Sequence, residues 1–337
     1  MEVLEPVDVS LKQKRPQLTG VLPFPHLSDW TADGALFALQ ALKGVLSQAE
    51  SSIGSQFVAE TISLPFASWR SRLLHPAVFA FVPKEPGPWE WSQLIDEVTR
   101  DGDAIRCGDT DLRIWANPGP QFTRLLKRLG RGSRGSDCAR ASFIERTSSE
   151  FDHYATLTHQ AIRLLECATP GFATDVKMSV HAVAFVDEGA SFRGSSGIIH
   201  RGLVLLSPDE SWDVGAFAEE LLHEATHNLL DLFSLRMPLL IGPEAFEERY
   251  SAPFRPDPRH LYGNLHALVV VARLAWLFKA FEGYAVAPQH HWQQRRKDYI
   301  ERALPSLSDV RQYGNQSNIA RIMLEEFVVP TLAELRN

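Results

Sequence analysis

Glu219-Glu220-Leu221-Leu222-His223-Glu224-Ala225-Thr226-His227-Asn228-Leu229-Leu230 decides how this chain is read. It holds His-Glu-x-x-His inside a stretch that is helical by pattern on both sides. In an α-helix residues i and i+4 lie about 40° apart around the axis, on nearly one face. His223 and His227 therefore offer two imidazoles to one cation, and Glu224 leans to the same side. Phe217, Leu221, Leu222, Leu229, Leu232 and Phe233 give the helix a broad apolar surface, which predicts burial. A buried polar group without a partner costs several kcal/mol, and a divalent metal is a partner that serves both histidines. The competing reading of so short a motif is a pair of ordinary core or surface histidines.

Outward from the motif, the chain has 337 residues, 45% hydrophobic and 22% charged, an ordinary globular composition long enough for one large domain or two. A formal charge of −7 argues against a general nucleic-acid binder. The longest apolar stretch, Leu265 to Phe281, is interrupted by Arg273 and Lys279, so no membrane span is expected. No apolar h-region of a signal peptide stands at the start. Cys107, Cys138 and Cys167 are odd in number and far apart, which fits a reducing cytoplasm and offers no thiolate metal site.

Residues 1–17 read as a polar tail, and 18–145 as an N-terminal lobe with a helix from about Trp30, a buried strand over Val78–Val82 and a helix over Trp91–Arg100. Arg128, Arg131, Arg134 and Arg140 lie among glycines and serines, either as a surface loop or as a contact for an acidic partner. Residues 146–337 read as the metal-binding catalytic lobe. A helix over Glu150–Cys167 ends at Pro170-Gly171, and strands follow over Lys177–Val186 and Gly197–Ser207. His181 and His200 fall on these strands as ordinary strand residues. A strand edge beside the motif helix can hold an extended peptide by backbone hydrogen bonds.

A catalytic metal takes a third protein ligand and keeps an open position. Glu244, Glu247 and Glu248 stand about where a Glu-ligand zinc peptidase would supply one, but the Asn-Glu-x-x-Ser-Asp pattern of that class is missing. The Gly and the third His of the metzincin extension are missing too, since Leu230 and Phe233 stand in their places. Further on, Asp257-Pro258 reads as a helix start, and the helix running to Phe281 is apolar on nearly every side. His266 is its lone early polar residue, with Arg273 two turns on along the same face. His266 is therefore the favoured third ligand over a carbonyl-bonded core histidine, with His260 in reserve. After it a helix opens at Pro288, and a final pair is expected over Asn318–Val328 and Thr331–Asn337.

His-Glu-x-x-His-Asn-x-Leu, Pro253-Phe254-Arg255-Pro256-Asp257-Pro258-Arg259 and Gly263-Asn264-Leu265-His266 together resemble the HExxH-type peptide-modification proteins found beside ribosomally made, post-translationally modified peptides. Members of that family are iron- and α-ketoglutarate-dependent peptide β-hydroxylases. The likeness covers about the C-terminal half of the chain. It implies Fe(II), α-ketoglutarate and O2 as cofactors, a peptide substrate with or without a leader segment, and His223, His227 and His266 as iron ligands.

Imidazole suits Fe(II) and Zn(II) alike. In the oxygenase reading the far carboxylate of α-ketoglutarate needs a positive partner, and Arg255, Arg259 and Arg273 are the candidates, each with a loop or core ion pair as its plainer role. In the alternative, a zinc metallopeptidase, Glu224 is the general base acting on a metal-bound water. A third reading is a non-catalytic peptide-binding partner with a structural metal, disfavoured because such sites close with four ligands. The expected fold is mainly α (α+β), with a small antiparallel sheet beside a zincin-like HExxH helix.

Overall fold

Ala182-Val183-Ala184-Phe185 and Leu203-Val204-Leu205-Leu206 are apolar at every position, the pattern of strands covered on both faces. Both are strands in the computed structural model. It describes residues 104–107, 110, 112–116, 142–145, 147–187, 192–197, 201–236, 238–247, 250–254, 258–284 and 289–336. The elements expected over Trp30–Arg100, the arginine-rich stretch from Arg128 to Arg140, His200 and Arg255 lie outside the described residues. In chain order the structure has β1 (Ala104–Arg106), β2 (Arg113–Trp115), α1 (Ser149–Ala168), α2 (Pro170–Ser179), β3 (Ala182–Phe185), β4 (Gly194–Ser195) and β5 (Leu203–Leu206). After these come α3 (Val214–Arg236), α4 (Glu244–Glu247), α5 (Leu261–Phe281), α6 (Gln289–Tyr313), α7 (Asn318–Ile322), a π-helical segment (Met323–Val328) and α8 (Val329–Leu335).

The sheet corrects the expectation of an antiparallel one. Its order is β1-β2-β3-β5-β4, and its three central strands run parallel, with Val183 opposite Ile114 on one side and Val204 on the other. Only the edges, β1 and β4, are antiparallel to their neighbours. The reason is the connection between β2 and β3, which carries α1 and α2, since parallel neighbours need such a crossover. β1 and β2 belong to the stretch read as the N-terminal lobe, and they complete the sheet of the motif helix.

Two local readings change as well. Pro170 opens a second helix instead of closing the first, standing where a missing N–H costs nothing, so Lys177 is helical and the strand begins at Ala182. Helix α5 begins at Leu261 and not at Asp257-Pro258. Tyr250 and Arg259 exchange backbone hydrogen bonds of 2.5 and 2.7 Å, which keeps Arg259 extended. His260 then caps the helix, its Nδ1 accepting from Gly263 N at 3.0 Å. The expected C-terminal helix pair is one helical run from Asn318 to Leu335.

Helix α5 joins two apolar cores. Val270, Leu274, Leu277 and Phe278 pack with the sheet residues Val183, Phe185, Val204 and Leu206 and with Phe217 and Leu221 of α3. Leu265, Leu268, Val269 and Ala272 pack with Leu230 and Phe233 of α3, Ile300 and Ala303 of α6, and Met323 and Leu324. By length and composition α5 is apolar enough to cross a membrane, but 83% of its apolar window is buried inside the protein.

Candidate metal centre

The motif helix α3 and the helix α5 bring the three expected histidines into one row. The ring centres of His223 and His227 are 5.1 Å apart, one helical turn along α3. Across the helix pair, His227 and His266 stack at 5.7 Å with 20° between planes, and their Nδ1 atoms are 3.4 Å apart. That is the length of a long hydrogen bond. It is also close to the roughly 3.3 Å separating two nitrogen ligands on one tetrahedral ion with metal–nitrogen bonds near 2.0–2.1 Å. The rings meet pairwise, with His227 in the middle. Among the described residues, no three His, Cys, Asp or Glu side chains are placed together so that they could hold one metal ion.

His266 is 5% exposed, and burial holds its imidazole well below its ordinary pKa, with His227 and His260 acting in the same direction. It is therefore neutral at pH 7, the form that binds metals. Its Nε2 is buried without a hydrogen-bond partner. His260, the reserve ligand, uses Nδ1 as the α5 cap.

Glu224 sits on the sheet side of the row. Its Oε1 lies 4.0 Å from His223 Nε2, and its Oε2 accepts a 2.5 Å hydrogen bond from Ser196 Oγ, just beyond β4. Gly194 in β4 makes this approach possible: a Cβ there would stand 2.7 Å from Glu224 Oε1 and 3.1 Å from Glu220 Oε2. At the start of the strand Arg193 Nε pairs with Glu220 at 2.9 Å. Ion pair and hydrogen bond thus fasten the edge strand to α3 on both sides of Gly194.

Several residues around the row have no motif of their own. Phe254 packs on His223 at 5.1 Å, and Tyr299 meets Phe254 edge-on at 5.3 Å. Tyr299 donates to Glu219 at 2.6 Å, and Arg295 pairs with the same carboxylate. On the other flank Tyr262 packs on His266 at 4.5 Å. Asp231 continues the face of His223 and His227 by one further turn. Burial pushes its carboxyl up to about 6, opposed by the buried Arg201. The Arg201–Gly202 turn is tied to α3 by Gly202 N donating to Asn228 Oδ1 at 3.2 Å. The i+4 step from His227 to Asp231 was visible in the sequence, whereas the other neighbours come from the packing of distant segments.

The expected arginines differ. Arg255 lies outside the described residues. Arg259 is half-buried, in the bridge to Tyr250 just before the His260 cap. Arg273 is fully buried, pairs with Asp175 of α2, and donates to Thr226 Oγ1 at 3.0 Å. The core ion pair weighed for it in the sequence is what it makes. His181, just before β3, is half-buried edge-on to Trp115, its imidazole pushed down to about 3 by burial.

Imidazole is a ligand for borderline divalent cations, and here the histidines meet two at a time, His223 with His227 and His227 with His266. Compared with known proteins, the chain matches no protein-family model and no curated protein.

Proposed function

We propose that the protein is an Fe(II)- and α-ketoglutarate-dependent oxygenase that β-hydroxylates a residue of a ribosomally made peptide, with His223, His227 and His266 as the metal-binding set. The observation that carries the reading is the approach of His266 Nδ1 to His227 Nδ1 at 3.4 Å, across two helices and 39 residues of sequence. That approach supports His266, the α5 histidine, as the third member of the set. Iron held there, together with α-ketoglutarate and O2, supplies the oxidising power to hydroxylate an unactivated C–H bond.

The chain's own residues orient and shield. Tyr262 and Phe254 clamp the outer faces of His266 and His223, and the α5 core keeps water from His266. Arg259, next to the cap of α5, and Arg255 are the candidates for the far carboxylate of the keto acid, because a guanidinium matches its two oxygens. Glu224, bonded to Ser196, then acts as the group that fixes β4 against the histidine row.

One observation favours the second reading, a zinc metallopeptidase: Glu224 Oε1 lies 4.0 Å from His223 Nε2, within reach of a water shared with a metal. Anaerobic reconstitution decides between the two. A weak visible charge-transfer band that needs both Fe(II) and α-ketoglutarate is the expected result. Tight zinc, no such band and cleavage of peptides would overturn the oxygenase reading.

A further inference from the structure

Cys107 directly follows β1 and is 2% exposed, yet it lines a cavity of about 340 Å³. The turn that carries it is closed by its own hydrogen bonds. Cys107 N donates to Leu112 O at 2.9 Å, and Thr110 Oγ1 donates to Cys107 O at 2.6 Å. Opposite the turn, His159, Ile162, Arg163 and Glu166 recur at helical spacing along one face of α1, and Lys177 of α2 completes the wall. None of these elements carries a member of the histidine row.

The wall is divided by its chemistry. Ile162 is buried, and burial pushes the Cys107 thiol up to about 11, so it carries no charge at neutral pH. These two side chains make an uncharged floor. The rim is ionic: Lys177 Nζ meets Glu166 Oε1 at 2.5 Å, and Arg163 Nη1 meets Glu166 Oε2 at 3.2 Å. The hydrogen bond from Lys177, aided by Arg163, holds the Glu166 carboxyl below its ordinary value, so it is ionised. Two cations thus share one carboxylate, and the rim keeps a surplus positive charge. Among the described residues, Arg163 gives Glu166 only its Nη1.

Cys107 and His159 form neither an activated nucleophile nor a metal site. Sγ and Nδ1 are 4.0 Å apart, a protonated thiol attacks slowly, and no three metal-binding side chains meet among the described residues. A cationic ligand is repelled at the rim, and water satisfies the rim but gains nothing from the floor. The volume falls at the small end of the range that holds organic ligands, and perturbed titratable groups in a cleft mark such sites.

We propose that this cavity binds a small organic carboxylate with a compact apolar body, the carboxylate on Arg163 and Lys177 and the body on Ile162 and Cys107. A guanidinium matches two carboxylate oxygens, and the body displaces water from the apolar floor. The site is independent of the oxygenase reading of the histidine row.

The test is a methyl NMR titration of the full-length protein with benzoate and with benzamide, its uncharged counterpart of the same shape. The Ile162 methyl resonance is assigned with Ile162→Val. Benzoate is expected to give that resonance a saturable ring-current shift below roughly 10 mM, the weak end of specific binding. Benzamide is expected to bind about tenfold more weakly, since it lacks the charge that strengthens the rim hydrogen bonds. Arg163→Gln/Lys177→Gln is expected to reduce benzoate to the level of benzamide. Exposed ion pairs add little to stability, so this variant is expected to melt as the wild type does. An unmoved Ile162 methyl, equal binding of the two probes, or a preference that survives in the double variant overturns the site. The readout uses neither metal nor keto acid, so its failure leaves the charge-transfer test of the histidine row intact, and the reverse holds too.

Discussion

Asp175 of α2 and Arg273 of α5, 98 residues apart, form an ion pair with side-chain exposures of 6% and 0%. Arg273 also donates to Thr226, beside His227, so α2, α3 and α5 meet at one guanidinium. Breaking a buried pair from one side leaves an uncompensated charge and costs about 3–5 kcal/mol. Arg273→Met is expected to lose that much in urea unfolding, and the double variant Asp175→Leu/Arg273→Met to regain most of it. A double variant as unstable as the single would show that the pair is not what holds the three helices.

The members of the candidate site were legible before the fold was. His223 and His227 follow from one helical spacing, and His266 from being the polar residue on an otherwise apolar helix. The sheet was misread although its signal was present. Ala182–Phe185 and Leu203–Leu206 lack the alternation of a half-solvated antiparallel strand, and their uniform apolarity marks burial on both faces. The start of α5 was misread because Asp257-Pro258 has the better local cap. The Tyr250–Arg259 bridge, a contact between segments, overrides that preference. The contacts of Glu224 with Ser196 and of His223 with Phe254 depend on loops whose course no local pattern encodes.

Gly194 is the close approach on which the geometry of Glu224 depends. A methyl group there meets Glu224 Oε1 at 2.7 Å and Cγ at 3.0 Å, and Glu224 is 4% exposed and bonded to Ser196. Gly194→Ala is expected to cost about 1–3 kcal/mol, the usual range for overpacking. Adding the shorter Glu224→Asp is expected to return part of it. Equal stability of wild type and Gly194→Ala in chemical denaturation would mean that β4 moves away from α3 freely.

Asp231 gives a pH signature. An unfolded aspartate titrates near 3.9, and burial holds this one at about 6. Between those values the folded chain binds more protons than the unfolded chain, so this group makes stability fall as pH rises from about 4 to 6. Two pKa units correspond to about 3 kcal/mol as an upper bound. The difference in unfolding free energy between wild type and Asp231→Asn, measured over that window, is expected to carry this slope. Parallel profiles would place Asp231 at an ordinary carboxylate value.

Glu224→Gln separates oxidation from hydrolysis. The amide keeps the shape and can still bond Ser196, but it takes up no proton from water. The peptidase reading requires loss of nearly all turnover, since a missing general base costs about 100-fold or more. The oxygenase reading expects substantial keto-acid-dependent turnover to survive, followed as succinate formed per peptide modified.

His260 and His266 lie six residues apart on one helix and should respond oppositely to removal. His260 caps α5 through its Nδ1, so His260→Ala is expected to cost about 1 kcal/mol of stability and leave metal affinity nearly unchanged. His266, buried and neutral with Nε2 unsatisfied, makes no hydrogen bond through that nitrogen whose loss would weaken the fold. His266→Ala removes a third of the proposed ligand set and is expected to weaken Fe(II) or Zn(II) binding by at least 100-fold in a competition titration with a chelating dye. If His260→Ala releases the metal while His266→Ala retains it, the ligand set must be redrawn around the start of α5, with Gly263 N left to find another cap.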